Sequence, residues 1–323
     1  MAFRVFDYLN THAFHRKALL NAVERVNAAT TMTEDLTILV STRNMVKALP
    51  RALFGGMKTV VSLVGFGRLY SDYGAAGRFV FNAIVRLYGR FSACAFIVEH
   101  EVDRLILERL TSKPVFTSHG SGLDTEGFTR KRRKRGKIIK IGYLSRFHKS
   151  KGSHEVVKIA KALPEDRELI IAGWDISGDT YSRAFEALAA SRPNIHYLGR
   201  LENRAGVSRF FNSIDLFLSP SVREGGNISL QEGIWHGVPF MTTNAPGCAV
   251  LAERFNCPAL PMNQFSKAVL ECDLSKMASD QSKPDQIEWD DLLQPFLAEV
   301  VEEELTGILT DIAEGIKAAS NPP

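Results

Sequence analysis

Residues 215–247 read DLFLSPSVREGGNISLQEGIWHGVPFMTTNAPG. DLFL at 215–218 is a short apolar run, the kind of strand that is buried on both faces of a parallel sheet. Gly225 and Gly226 make a turn, a helical pattern follows over 228–236, and VPFMT at 238–242 reads as the next strand. Strand, helix, strand without a hairpin signal is the unit of an α/β fold. The start of that helix is a natural anion site. The N–H groups of Gly226, Asn227, Ile228 and Ser229 precede any carbonyl that could accept them, so they can aim at a ligand. Two carboxylates flank it. Glu224 in the loop and Glu232 one to two turns into the helix can face the crevice at the sheet's carboxyl edge and accept hydrogen bonds from sugar or ribose hydroxyls. The competing assignment makes Glu224 a helix cap and Glu232 a solvated surface charge.

The same alternation extends in both directions. Strands are expected at 138–144, 168–172 and 195–198, and helices at 152–163, 179–191 and 204–212. After the first of these strands, IGYLSRFHKSKG at 141–152 places Arg146 and Lys151 at the mouth of a helix. A planar guanidinium and a point-charge ammonium together can neutralise a pyrophosphate. His148 and Lys149 share the turn, and a plain solvated basic turn has the same spacing. The N-terminal third repeats the pattern, with strands at 3–8, 36–41, 58–64, 93–98 and 115–118 and helices at 13–27, 75–91 and 100–110. The tail over 289–319 is helical and amphipathic, with Pro295 as a kink.

Length and composition agree. The 323 residues suit about two domains, and 45% hydrophobic with 24% charged residues is globular composition. The net charge of +4 is too mild to name nucleic acid as a partner, and seven of the 40 basic residues sit in one ribbon, RKRRKRGK at 130–137. That ribbon reads as a solvated linker. No run of 18 apolar residues exists, and the first residues lack the charged segment and apolar core of a secretory signal. Cys94, Cys248, Cys257 and Cys272 form no CxxC and read as free thiols. No HExxH occurs, and the His12–His15 pair has no third ligand.

Taken together, IGYLSRF…KG, LIIAGWD, IHYLGRL and the segment quoted first resemble the donor domain of a family 4 glycosyltransferase of the GT-B fold. That family carries a G-x-[LY]-x-R start closed by K-G, a strand ending in iaG, an xFLGxL turn, and E-x7-E before a G-x-P strand. All stand in order over about 138–247. Weaker resemblance reaches upstream through VGFGRLY (64–70), LYGRF, FIVEHEVDRLIL and GSGLD (120–124), the pattern of capsule and polyprenyl-linked oligosaccharide enzymes. The resemblance implies that Arg146 and Lys151 hold the nucleotide diphosphate, that Glu224 is the catalytic-site carboxylate touching the donor sugar, that Glu232 binds the ribose hydroxyls, and that backbone around Leu201 lies against the base. It implies retention of anomeric configuration by front-face displacement, with a UDP- or GDP-sugar as substrate and no cofactor. No two aspartates stand at i, i+2, so the metal-holding D-x-D of the GT-A class is absent and no metal is expected. No G-x-G-x-x-G follows a strand, which disfavours a dehydrogenase.

The expected architecture is two Rossmann-like domains facing a cleft. They are a shortened acceptor-side domain over 1–128, a basic linker over 129–137, a nucleotide-sugar domain over 138–285, and C-terminal helices over 286–323 packing back toward the first domain. Shortening is expected because no glycine-rich loop follows residues 3–8, where Thr11 and His12 stand; that missing loop and Val64, where many members have histidine, motivate a non-catalytic alternative. The expected activity is sugar transfer in the cytoplasm to a glycan or lipid-linked acceptor. The alternative is a degenerate, non-catalytic nucleotide-sugar-binding protein or partner subunit. Over 75–91, Arg78, Arg86 and Arg90 lie among Phe79, Phe81, Leu87 and Tyr88. That basic amphipathic helix suits either peripheral contact with an anionic membrane or packing on its own sheet.

Overall fold

The structure, a computed structural model, describes residues 2–6, 17–30, 35–71, 73–131, 138–175, 178–222, 224–271 and 286–320. Thr11, His12, His15, Cys272, residues 132–137 of the basic ribbon and the ends of the first expected strand and helix lie outside these residues. The chain divides into two units, Met1–Asp124 with Pro295–Pro323, and Thr125–Gln294.

The first unit is built on five parallel strands, β1 (Phe3–Phe6), β2 (Leu36–Val40), β3 (Thr59–Leu63), β4 (Ala93–Val98) and β5 (Val115–Thr117), in spatial order of sequence. Its helices are α1 (Lys17–Ala29), α2 (Thr42–Phe54), α3 (Gly67–Ser71), α4 (Gly74–Phe91) and α5 (Glu101–Glu108). Successive strand residues point to opposite faces, so the near-continuous apolar runs feed two cores. Ile38, Val40, Val60, Ala95 and Ile97 meet α1 on one face. Leu39, Val61, Leu63, Phe96 and Val98 meet α2, α4 and α5 on the other. The sequence reading assigns no helix between β2 and β3. The reason is Pro50, which lies inside α2 where proline removes a hydrogen bond and ordinarily ends a helix. Here it sits on the exposed side, and Met45, Ala48 and Ala52 anchor the inner face.

The second unit carries six parallel strands: β6 (Ile139–Phe147), β7 (Arg167–Asp175), β8 (Ile195–Tyr197), β9 (Leu216–Ser219), β10 (Phe240–Thr243) and β11 (Ala259–Leu260). Their spatial order is β11-β10-β9-β6-β7-β8. The helices are α6 (Ser153–Ala162), α7 (Thr180–Ser191), α8 (Arg204–Ser213), α9 (Ile228–Trp235), α10 (Pro246–Arg254), α11 (Met262–Glu271) and α12 (Gln286–Leu293). β11, α10 and α11 were not among the sequence expectations, because two-residue strands and a helix opening on Pro-Gly leave little periodicity to read. After a 3₁₀ turn at Gln294–Phe296, around Pro295, the chain enters α13 (Ala298–Ser320). Val301, Leu305, Ile308, Leu309 and Ile312 recur at helical spacing and bury against Leu19, Ala22, Val23 and Val26 of α1. Both units are thus α/β with parallel sheets, the Rossmann-like architecture that the alternation of strands and helices leads one to expect.

Candidate functional site

The second sheet reverses direction between β8 and β9. Strands β6 to β8 extend one way and β9 to β11 the other, which makes β6 and β9 neighbours. Their carboxyl ends flank the kind of crevice where open α/β sheets bind ligands. Lys151 follows the first strand and Glu224 the second.

The loop after β6 is fixed by several local devices. Ser150 N donates to His148 Nδ1 at 3.2 Å, closing a 3₁₀ turn over Lys149–Lys151. The buried Tyr143 hydroxyl donates to Lys151 O at 3.1 Å and lies 2.9 Å from Ser153 Oγ. Gly152 then adopts φ +72°, and a Cβ built there would stand 1.9 Å from Pro220 O. Only glycine permits both the left-handed backbone and this approach to the β9 loop. Val222 N donates to Ser150 O at 2.8 Å and completes the seam. As a result Lys151 Nζ lies 2.5 Å from Glu224 Oε2, while Ser221 Oγ donates to Glu224 Oε1 at 2.6 Å. Both side chains are largely buried, at 21% and 9% exposed. The Ser221–Glu224 spacing of i, i+3 was the sequence signal for this clamp, and it went unread.

Glu224 therefore does not cap α9. Asn227 does: its Oδ1 accepts from Leu230 N at 3.3 Å, and its Nδ2 donates to Ser219 Oγ at 2.8 Å and reaches Cys248 Sγ at 3.1 Å. One expected donor is corrected. The amide of Asn227 is not free for a ligand, because a tight turn closes it onto Gly225 O at 2.9 Å. The amides of Ile228 and Ser229 donate to no acceptor among the described residues. Gly226 contributes its carbonyl, which accepts from Gln231 Nε2 at 2.5 Å. Burial pushes the Cys248 thiol up to about 11, with the charge of Glu224 adding to it, so this cysteine stays protonated and inert at neutral pH.

Glu232 sits in the second turn of α9, half-buried rather than solvated. Burial pushes its carboxyl up to about 8, against the opposing pull of Arg204. Arg204, which the sequence reading missed, opens α8, bonds Glu126 O, and holds its guanidinium 5.7 Å from the Phe128 ring. Arg146 is exposed on β6, in register with Trp174 of β7. The Trp174 ring is covered by the Arg200 guanidinium at 4.6 Å. Gly173 N donates to Gly199 O at 2.8 Å, tying the end of β7 to the turn that leads into Leu201. Lys151 and Glu224 are thus in contact, and no hydrogen bond or ion pair among the described residues joins Arg146, Leu201 or Glu232 to that pair. In the first unit, Val64 is exposed at the end of β3 and lines a small hollow with Val40, Glu99, Ser118 and Ser121.

Residues 124–287 match the family model described as glycosyl transferases group 1. The lipopolysaccharide glucosyltransferase WaaG of Escherichia coli (strain K12) is 32% identical over 127 residues, covering 37% of this chain and 32% of that protein. Protein CapJ of Staphylococcus aureus is 29% identical over 120 residues, covering 35% and 29%. The matches span about a third of the length of these curated relatives. Among solved structures, sucrose-phosphate synthase from Thermosynechococcus elongatus superposes with a TM-score of 0.70 at 12% identity, over 92% of this chain and 78% of that one. Anabaena HepE in complex with UDP gives 0.67 at 15% identity, over 90% and 82%. At these identities the structural likeness speaks for the fold.

Proposed function

The chain belongs to the group 1 glycosyl transferases, and from that premise we propose that it is a family 4 enzyme moving a sugar from a nucleotide diphosphate sugar to a glycan or lipid-linked acceptor. The observation that carries the reading is the Lys151–Glu224 pair at the β6–β9 crossing, beside the open amides of Ile228 and Ser229. In this reading the donor diphosphate takes the α9 amides and the cations Lys151 and Arg146, and the sugar hydroxyls take Glu224. Glu232, largely protonated near neutral pH, offers the ribose both a donor and an acceptor. Leu201 lines the base. A UDP- or GDP-sugar is the substrate, with no metal or cofactor. Transfer proceeds with retention. The anomeric carbon–phosphate oxygen bond breaks, the acceptor oxygen bonds to that carbon on the same face, and the acceptor proton passes to the departing diphosphate. The protein's share is positioning and stabilisation of the leaving group. E. coli WaaG, a glucosyltransferase by name, and HepE, solved with UDP, support the donor class.

A thermal-shift titration with UDP, GDP and their sugars tests the site, because a ligand that binds only the folded state raises the transition by mass action. Glu224→Ala is expected to lower transfer by about a hundredfold or more while leaving the fold intact. Full activity in that variant removes the role of Glu224. Binding without product in the unaltered chain favours the non-catalytic binding protein instead.

A further inference from the structure

Ile141, Tyr143 and Phe147 of β6 are fully buried and share one core with Val156 and Ile159 of α6 and Phe185 of α7. The Tyr143 and Phe147 rings stack with centroids 6.0 Å apart. Phe147 fills that core with hydrocarbon alone. Tyr143 carries a hydroxyl into it, and a buried hydroxyl costs free energy unless it is bonded. A phenylalanine would occupy the same space without that demand, so the use of the hydroxyl lies in what it bonds.

Its bonds go to the turn that carries Lys151, and their directions follow from which groups can donate. Lys151 O is a carbonyl and only accepts, so the Tyr143 hydroxyl donates to it at 3.1 Å. The tyrosine has no second proton to give, so the Ser153 hydroxyl donates to the Tyr143 oxygen at 2.9 Å. Ser153 Oγ in turn accepts from His148 N at 3.0 Å. From His148 through Ser153 and Tyr143 to the Lys151 carbonyl the chain runs one way, each hydroxyl accepting once and donating once, and bonds in such a chain strengthen one another. It fastens both ends of the turn to a strand that is itself paired along its length with β7. Burial holds the Tyr143 hydroxyl above its usual range, so it stays a donor at any working pH. Lys151 needs that support, because its ammonium ends a flexible stem, yet it stands 2.5 Å from Glu224 Oε2 with the side chain 21% exposed.

We propose that Tyr143 is a positioning residue for the donor. Through Ser153 and the Lys151 carbonyl its hydroxyl holds the turn over 148–151 so that the Lys151 ammonium meets the diphosphate. The hydroxyl itself touches no substrate. The inference rests on the diphosphate role of Lys151 proposed above, and the variants below fail separately for the two.

UDP and GDP are titrated into the full chain by calorimetry. Lys151→Ala is expected to weaken binding about tenfold or more. Tyr143→Phe keeps the ring in the core and is expected to weaken it about tenfold. Placed on top of Lys151→Ala, the same substitution is expected to cause no further loss, because its effect passes through that ammonium. Ser153→Ala breaks the chain one bond earlier and gives a second reading in the same direction. Val269→Ala hollows the same core from α11 and is expected to lower the unfolding midpoint while leaving nucleotide affinity unchanged. Wild-type affinity in Tyr143→Phe or in Ser153→Ala overturns the proposal. So does a loss that adds in full to that of Lys151→Ala, or an equal loss in Val269→Ala, which marks a weakened core and not a placed cation. Wild-type affinity in Lys151→Ala, or no binding of either nucleotide to the unaltered chain, removes the diphosphate role itself and the proposal with it.

Discussion

At Gly152 two demands coincide, a left-handed backbone and a carbonyl oxygen 1.9 Å from where a Cβ would stand. Gly152→Ala is expected to cost roughly 1–3 kcal/mol or more in urea unfolding and to weaken nucleotide binding, because the displaced loop carries Lys151. Glu232 makes the pH prediction. Its pKa in the folded protein, about 8, lies above the ordinary carboxylate value, so the folded chain keeps a proton that the unfolded chain releases. The stability it contributes is complete below the usual carboxylate range and is lost as pH rises through about 8. Glu232→Gln is therefore expected to flatten the stability–pH curve between about 5 and 8 and to exceed the unaltered protein at the upper end. A slope unchanged by the substitution, followed by denaturant midpoints across that window, speaks against a raised Glu232 pKa. The sequence named both residues but could not choose between solvated and half-buried for Glu232, because its environment, including the charge of Arg204, is set by residues distant in the chain.

Among elements, α9 shows how much a short helix depends on its cap. Its eight residues are too few for a helix to stand alone in water, so its start is held from outside. Asn227 bonds Leu230 N within the helix, Ser219 at the end of β9, and Cys248 on α10. Asn227→Ala is expected to cost about 1 kcal/mol for the cap and somewhat more for the orphaned partners, and to loosen the Ile228 and Ser229 amides. Slower amide exchange at those two positions on adding nucleotide is the matching observation in the unaltered chain. The helix itself was readable from the apolar period after a Gly-Gly turn. The identity of its cap was not, since Glu224, whose charge suits a helix start, and Asn227, a preferred N-cap type, stand three residues apart. By contrast α2 was hidden by Pro50, which the sequence marks as a breaker and the fold tolerates on the exposed side.

For the whole molecule, α13 is the informative piece, because it is last in the chain yet completes the core begun by β1 and α1. Leu309→Ala removes a fully buried side chain there and is expected to cost about 2–5 kcal/mol. Calorimetry with and without nucleotide checks its place: the substitution should lower a transition that nucleotide leaves unmoved, since the candidate donor site belongs wholly to the other unit. By itself the sequence determined the α/β class, the positions of most strands, and the residues with the right chemistry for a diphosphate and a sugar. These follow from local periodicity and turn chemistry, which neighbours along the chain set. Only the tertiary structure decided that Lys151 and Glu224 touch, that the Asn227 amide is closed, that Glu232 is half-buried, and that Phe54, Phe79 and Phe91 face outward. Each of these depends on which strand lies beside which, and the crossing of β6 beside β9 joins positions 73 residues apart.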